Sequence, residues 1–234
     1  MKKTNIQRFI SDAQWDDDNI MIKYRSLINE DLGSPDGVLI FDETGFVKKG
    51  NDSIGVAKQY CGTIGKVENC QVGVFSAYAS EHGYGLVDKR LYIPKKWFSD
   101  EYHHRRVKCK LPEEVEFRTK PQLAAEMLTD IAKQQTLPFK FVLGDSIYGT
   151  SPVFICNAPD STGLKTLVWL RGMRWAIEQC FEETKSELGM EHYEVRKFMG
   201  WHHHILTCML AHFFLWHLKI RLGKKSTIYY AVAA

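Results

Sequence analysis

The chain has 234 residues, of which 44% are hydrophobic and 25% are charged, and its net charge is +3 at pH 7. These proportions are typical of a globular protein with a substantial core, and they exclude a chain that is disordered over its whole length. The small positive charge is compatible with a nucleic-acid partner but does not by itself indicate one.

The first part of the chain combines a helical segment with a buried strand. Residues 4–32 place apolar side chains at helical spacing, and the stretch 33–37, which contains glycine and proline, then predicts a turn. Residues 38–41 form a short, continuous apolar run, which is typical of a strand that is buried on both faces. Because Asp42 follows this run directly, the sequence predicts a carboxylate at the tip of the first strand.

The middle of the chain predicts further strands and one helix. Residues 70–80 and 84–93 have the pattern of two strands joined by a hairpin turn. Residues 121–135 carry an apolar stripe with a proline in the first turn, which predicts a helix. The apolar run 139–143 predicts a fourth strand, and Asp145 lies just beyond it. Asp145 is thus a second carboxylate at the end of a strand.

The last third of the chain is predicted to be helical. A long helix is expected over residues 165–188, with Gly189 as its C-cap, and another over residues 201–222. The longest apolar run, residues 205–218, is interrupted by histidines and is too short to cross a membrane. The six cysteines form no Cys-x-x-Cys pair, and no secretory segment follows the N-terminal methionine. We therefore expect a reduced, cytoplasmic protein.

The order of these elements indicates an α/β fold. A β-β-β-α-β-α succession, with one aspartate at the end of the first strand and another after the fourth, matches the ribonuclease-H-like plan, in which those two strands are neighbours. We expect a mixed sheet of about five strands flanked by helices, with the fifth strand from residues 53–60 or 91–98. The expected organisation is an N-terminal helical segment over residues 1–35 and a ribonuclease-H-like catalytic domain over residues 36–234.

Carboxylates at neighbouring strand ends suit a magnesium site. Mg²⁺ is a hard cation that prefers oxygen ligands and keeps positions open for substrate phosphate. Two such ions about 3.5 to 4 Å apart stabilise both the attacking and the leaving oxygen when a phosphodiester is displaced in line. Asp42 and Asp145 are candidates for two of the carboxylates that hold them, although aspartate is also common in turns and helix caps.

A third carboxylate lies on the long predicted helix, within a polar stripe. Five charged side chains follow one another there at three- and four-residue steps: Arg171, Arg174, Glu178, Glu182 and Lys185. Side chains with this spacing share one face of a helix. The spacing alone favours a solvated helix face with ion pairs over a catalytic role.

Within this stripe the sequence resembles the cut-and-paste insertion-sequence transposases of the Asp-Asp-Glu type. Their signature is Tyr, two residues, Arg, three residues, Glu, six residues, Lys. Arg174, Glu178 and Lys185 stand at the last three signature positions, whereas Arg171 stands at the tyrosine position. The signature thereby selects Glu178 over Glu182 as the third carboxylate.

Three further segments carry the same resemblance. Residues 41–50 resemble the family's segment around the first aspartate, residues 144–149 resemble the segment around the second, and residues 189–196 continue the likeness after the glutamate. The resemblance extends over nearly the whole chain. Each segment alone is a weak signal, and the three together are fairly specific.

The resemblance implies a metal-dependent DNA transposase. Asp42, Asp145 and Glu178 would be its catalytic, metal-binding carboxylates, with Mg²⁺ as the cofactor and Mn²⁺ as a substitute. The reaction would be phosphodiester hydrolysis followed by strand transfer. The partners would be double-stranded DNA, both transposon ends and target, and a second copy of the chain, because a homodimer on DNA is expected. The protein would act in the bacterial cytoplasm at the nucleoid.

Several cations are candidates for contact with DNA. The five selected residues are Lys48, Lys49, Arg171, Arg174 and Lys185. Lys48 and Lys49 follow the first strand and suit contacts with phosphates, a solvated loop being the alternative. A basic cluster at residues 103–110 and another at 219–225 are each as compatible with a solvated face as with phosphate contact.

Two features set the chain apart from the family it resembles. Relatives begin with a longer N-terminal helical region that binds transposon ends. They also carry a β-rich insertion between the second aspartate and the glutamate, whereas Asp145 and Glu178 are only 33 positions apart here. The alternative function is therefore a truncated, catalytically inactive remnant that binds DNA or pairs subunits without cutting. A ribonuclease-H-like nuclease that performs no strand transfer is a third possibility.

The run 201–204 contains three successive histidines, a composition that invites a metal-site interpretation. Successive residues of a helix point about 100° apart, so three neighbouring side chains do not converge on one ion. Because a metal site needs convergent ligands, we expect these histidines to have other roles.

Overall fold

A computed structural model of the chain describes residues 5–145, 154–192, 194 and 196–222. The helices and strands, in chain order, are α1 (Asn5–Ser11), α2 (Asp17–Leu32), β1 (Val38–Val47), β2 (Ala57–Cys61), β3 (Lys66–Ser80), β4 (Gly83–Tyr92), α3 (His103–Cys109), α4 (Lys120–Gln134), β5 (Phe141–Asp145), β6 (Phe154–Cys156), α5 (Leu164–Met173), α6 (Trp175–Ser186) and α7 (Phe198–Arg221). Short 3₁₀ turns at residues 62–64, 95–98 and 100–102 connect some of them.

The described strands form one mixed sheet in the order β2-β3-β1-β5-β6, with β4 also paired to β3. The strand β3 is long enough to pair with β2 over its first part and with β4 over its second part. The strand β1 is antiparallel to β3 and parallel to β5. This arrangement confirms the prediction of an α/β, ribonuclease-H-like mixed sheet in which the first strand neighbours the strand that carries the second aspartate.

The sheet has one strand more than the five or so that the sequence predicted. The strand β2, at Ala57–Cys61, overlaps the predicted range 53–60, whereas residues 91 and 92 belong to β4. The additional strand is β6, which pairs antiparallel with β5. With three residues, β6 is too short to give a recognisable alternation of apolar and polar side chains, so the sequence pattern could not predict it.

Helices cover both faces of the sheet. The residues Asp42, Phe75 and Lys89 form one row across β1, β3 and β4. Phe75 packs there against Phe181 of α6 and Trp201 of α7, with ring centroids 5.3 Å and 6.4 Å away. Because side chains alternate between the two faces of a strand, the neighbouring row faces the other side, where α4 packs. Asp42 therefore lies on the face that α6 and α7 cover.

The long helix expected over residues 165–188 is divided in two at Arg174, which corrects the prediction. The helical hydrogen-bond ladder is interrupted there, because the backbone N–H of Ile177 donates to the carbonyl of Arg174, three residues earlier rather than four. The division places Arg171 on α5 and Glu178 on α6. The helix α6 ends at Ser186 with Glu187 as its C-cap, so Gly189, which was predicted as the cap, lies two residues beyond the cap and adopts the left-handed conformation with φ +66°.

The helical patterning predicted over residues 4–32 corresponds to two helices, α1 and α2. The second, α2, begins after Asp16, whose side chain accepts a hydrogen bond from the backbone N–H of Asn19 and so caps the helix. No helix in the described part of the chain is long and apolar enough to cross a membrane.

A buried ion pair fastens α2 to the sheet. The guanidinium of Arg25 lies 2.5 Å from the carboxylate of Asp88 in β4, and both side chains are almost completely buried. Arg25 also donates to the carbonyl of Val87 and to the side chain of Gln134 in α4. Asp88 accepts a second charged hydrogen bond from Arg90. Every polar group of this network is thus paired, which is the condition under which buried charges are tolerated.

We predict that Arg25→Ala destabilises the protein by about 3 kcal/mol, because it leaves the buried carboxylate of Asp88 with one cation instead of two. The free energy of unfolding in urea measures this effect. Lys23→Ala is the matched control, since Lys23 is exposed on the same helix and its loss should change stability by less than about 0.5 kcal/mol. Equal stability of the two variants would contradict the assigned role of the ion pair.

Candidate active site

The two predicted aspartates lie on neighbouring strands. The parallel ladder between β1 and β5 ends with the pair Phe41 and Gly144, and the next residue on each strand is an aspartate. Asp42 and Asp145 are therefore the first residues beyond the paired segment on their strands, and they lie side by side. Residues 146–149 of the segment that resembles the family's second-aspartate motif lie outside the described residues.

Asp42 is not at the tip of its strand, as the apolar run had predicted. The strand β1 continues for five residues to Val47, because its antiparallel pairing with β3 extends as far as the pair Val47 and Cys70. What ends at Phe41 is the pairing with β5. The apolar run thus marked the end of one ladder and not the end of the strand.

The third predicted carboxylate, that of Glu178, reaches the same place from the first turn of α6. One nitrogen, Nη2 of Arg174, lies 3.8 Å from Asp42 Oδ2, 3.2 Å from Asp145 Oδ2 and 3.9 Å from Glu178 Oε1. Arg174 is the residue at which α5 gives way to α6. The structure therefore brings together the three residues that the sequence selected, around a guanidinium group that was predicted as a DNA contact.

The three carboxylates differ in their exposure to water. The side chain of Asp42 is 14% exposed, that of Asp145 33% and that of Glu178 58%. Burial raises the pKa of Asp42 to about 7, although the backbone N–H of Glu43 and the charge of Arg174 act in the opposite direction. Asp42 is thus the member of the cluster whose negative charge depends most on a nearby cation.

The cluster has the ligand chemistry of a magnesium site but not its spacing. Its donors are all carboxylate oxygens, the ligands that Mg²⁺ prefers, and they surround one centre of positive charge. Among the residues that the structure describes, however, no three His, Cys, Asp or Glu side chains are grouped closely enough to hold a metal ion directly. The guanidinium of Arg174 lies where the carboxylates converge and keeps them apart.

The two candidate glutamates of the polar stripe lie in different environments. Glu178 joins the cluster, whereas Glu182 is exposed and its backbone carbonyl accepts a hydrogen bond from the hydroxyl of Ser186. This placement agrees with the choice of Glu178 that the signature made.

Sequence reasoning missed Glu183, which is held by three side chains. Its carboxylate accepts a hydrogen bond from the hydroxyl of Tyr84 at 2.8 Å, from Gln179 at 3.1 Å, and lies 2.6 Å from Nε2 of His212. Burial acts to raise the pKa of Glu183, but these hydrogen bonds outweigh it and lower the pKa. Its partners come from β4, α6 and α7, so no local pattern could have identified it.

The predicted DNA-binding residues occupy two kinds of environment. Arg171 and Lys49 are exposed. Lys185 is turned inward, where its Nζ donates to the carbonyl of Gly45 at 3.1 Å and to the hydroxyl of Thr63 at 2.8 Å. It therefore fastens α6 to β1. Burial lowers the pKa of Lys185, while the charge of Glu191 opposes this effect.

Lys48 is also partly buried. Burial lowers its pKa to about 8, and the charges of Glu194 and Glu191 oppose this shift. At neutral pH Lys48 is mostly protonated, and it lies close to two carboxylates. Any contact between Lys48 and a phosphate would therefore compete with this acidic pair.

The three successive histidines of α7 do not converge. His202 lies 3.4 Å from the amine of Lys89, His203 lies 2.9 Å from the carbonyl of Ile10, and His204 lies 3.2 Å from the carbonyl of Met190. Each ring thus has a different neighbour. This arrangement follows from the 100° step between successive helical residues and is incompatible with binding one ion together.

We predict that Asp42→Asn stabilises the metal-free protein at pH 8 by about 2 to 4 kcal/mol and has almost no effect at pH 4. The raised pKa means that the folded protein holds a proton that the unfolded chain releases from about pH 4 upward. Ionisation of Asp42 therefore destabilises the fold increasingly as the pH rises to about 7. Urea unfolding in the presence of a chelator measures the difference. The same gain at both pH values would show that burial of the charge is not its cause.

Comparisons with known proteins agree with this geometry. The sequence profile of the family described as "DDE superfamily endonuclease" matches residues 1–183, a range that contains all three carboxylates. A protein of Microchaete diplosiphon, described as "Probable transposase for insertion sequence element IS701", is 28% identical over 210 residues, which cover 82% of this chain and 50% of the relative. The chain thus spans about half the length of that relative. No solved structure gives a significant match. Because the family profile covers more than half of the sequence, the chain belongs to the DDE superfamily endonuclease family.

Proposed function

We propose that the chain is the catalytic core of a transposase that cuts DNA at the ends of an insertion sequence and joins the freed 3′ ends to target DNA. The observation that supports this most is the convergence of Asp42, Asp145 and Glu178 on one nitrogen of Arg174. Membership of an endonuclease family and similarity to a probable transposase support the same conclusion. Because the chain spans about half of that relative, the activity of the whole relative is part of the proposal.

We further infer that Asp42, Asp145 and Glu178 hold Mg²⁺, for which Mn²⁺ can substitute. The donor set is made of oxygen atoms only, and the low exposure of Asp42 favours a strongly bound positive charge beside it. When bound, the metal supplies Lewis acidity that polarises the scissile phosphate and stabilises the charge that develops during displacement.

The chain's own residues prepare this site. Arg174 balances the charge of the three carboxylates, and its guanidinium must move from the centre before they can approach a common ion more closely. Lys185 keeps α6 against β1 through its hydrogen bonds to Gly45 and Thr63, and it thereby holds Glu178 near the aspartates. These contacts give Lys185 a positioning role in addition to any contact it makes with DNA.

Double-stranded DNA is the proposed partner, on the side of the sheet that α6 and α7 cover. Lys49 and Arg171 are exposed and suit contacts with phosphates, and Arg174 gains that ability if it leaves the carboxylates. We propose a homodimer on DNA, because two element ends have to be joined in one event. The division into an N-terminal helical segment, residues 1–35, and a catalytic domain, residues 36–234, is part of the same proposal.

We predict that Glu178→Gln lowers Mg²⁺-dependent cleavage of DNA that contains the element end by at least about a hundredfold, while thermal unfolding and DNA binding change little. The substitution removes one negative charge at nearly constant shape. Glu182→Gln is the matched control on the same helix and should retain cleavage within about threefold. Cleavage rates under single-turnover conditions measure the difference.

Other outcomes of this experiment would contradict the assignment. Loss of cleavage only in Glu182→Gln would show that the wrong glutamate was selected. Equal loss in both variants would mean that the charge of α6 as a whole matters, and not one ligand. Binding of DNA by the wild type without cleavage in Mg²⁺ or Mn²⁺ would favour a remnant that binds without cutting.

A further inference from the structure

A small basic groove lies beside β2, away from the carboxylate cluster. It has a volume of about 290 Å³, and its charged lining consists of Lys49, Lys58, Lys96 and Arg105, with no acidic residue among the lining side chains. Tyr102 and Asn69 contribute polar groups to it. We call this feature the basic groove. It joins residues from the segment after β1, from β2 and β3, from the 3₁₀ turns at 95–98 and 100–102, and from α3.

The cations of the basic groove are concentrated without local neutralisation. Lys49, Lys58 and Lys96 are exposed, and in the described part of the chain none of them forms an ion pair within 4.0 Å. Arg105 and Lys96 lie over the same ring, that of Tyr102, at 4.9 Å and 5.7 Å from its centroid. Two like charges that share one aromatic ring repel each other, and an anion between them would relieve this repulsion.

Two carboxylates that attract cations of the basic groove are already engaged by other cations. Asp52, which attracts Arg105, lies 2.8 Å from Lys108 and 3.4 Å from Arg196. Glu68, which attracts Lys58, lies 3.7 Å from Lys66. The groove and these neighbours together comprise seven cations and two carboxylates.

The register of the sheet places the basic groove on the same face as the carboxylate cluster. Asp42 pairs with Phe75, Asn69 lies six residues from Phe75 on the same strand, and Asn69 pairs with Lys58. Paired residues share a face, and an even separation along a strand preserves it. The six residues from Phe75, the partner of Asp42, to Asn69 in the groove span roughly 20 Å along β3 at about 3.3 Å per residue. That distance corresponds to about six base pairs of B-form DNA at 3.4 Å per pair.

We propose that the basic groove binds the sugar-phosphate backbone of the DNA duplex about six base pairs from the phosphodiester at the carboxylate cluster. This inference rests on the proposed function, because it takes the carboxylate cluster as the place of cleavage. Exposed lysines and an arginine on the face of the active site suit a polyanion that continues away from it. Contacts of these cations with phosphates would fix the position of the duplex relative to the carboxylate cluster.

The test compares Lys58→Ala/Lys96→Ala with Lys23→Ala/Lys133→Ala. Both variants lose two exposed lysines, so the net charge changes equally, and only the first pair lies in the basic groove. Binding of a labelled duplex by the full chain is measured by fluorescence anisotropy over a series of salt concentrations. The groove variant should bind about tenfold or more weakly at 0.1 M salt, with the slope of log K against log salt reduced by about 2. The control variant should keep the wild-type slope.

A second measurement tests the position of the groove. The duplex is shortened in steps on each side of the cleavage site, and the difference between wild type and the groove variant should disappear once fewer than about six base pairs remain on one side. A difference that persists on the shortest duplexes would place the two lysines elsewhere on the DNA and overturn the proposal.

The outcomes separate this inference from the proposed function. An unchanged salt slope in the groove variant, with normal cleavage by the wild type, overturns the inference alone. A reduced slope in the groove variant, without cleavage by the wild type in Mg²⁺ or Mn²⁺, supports the groove and overturns the catalytic proposal. Absence of DNA binding by the wild type overturns both.

Discussion

The site depends on one electrostatic constraint, which is that three carboxylates surround a single guanidinium nitrogen. Asp42, Asp145 and Glu178 come from parts of the chain that are far apart in sequence, and each lies within 3.9 Å of Arg174 Nη2. Negative charges held this closely repel one another unless a cation lies among them, and burial of Asp42 strengthens the requirement. Arg174 satisfies it in the structure, and a divalent ion would satisfy it in the proposed reaction.

The sheet creates the space in which this cluster forms. Beyond Phe41 the strand β1 remains paired with β3 but no longer with β5, so among the described residues one of its edges has no strand partner near Asp42 and Asp145. The helix α6 approaches this edge, where Lys185 donates to the carbonyl of Gly45. The neighbouring strand β3, whose Phe75 pairs with Asp42, contributes Asn69 to the basic groove. One strand therefore connects the proposed place of cleavage with the proposed place of backbone binding.

The sequence predicted the sheet class, its central strands and the three carboxylates of the cluster, because each has a local sequence pattern. Asp42 and Asp145 each follow an apolar run, and Glu178 stands at the spacing of the family signature. It did not predict what depends on distant contacts. The continuation of β1 beyond Asp42 is set by its pairing with β3, and the position of Arg174 among the carboxylates is set by the break between α5 and α6. The partners of Glu183 also come from separate elements.

A crystal structure of the chain in Mn²⁺, with the ion located by its anomalous scattering, tests the central claim most directly. We expect manganese bound by carboxylate oxygens of Asp42 and Asp145, with Glu178 nearby and the guanidinium of Arg174 moved out of the cluster. Manganese bound elsewhere, or Arg174 still in contact with all three carboxylates at a saturating concentration of Mn²⁺, would contradict it.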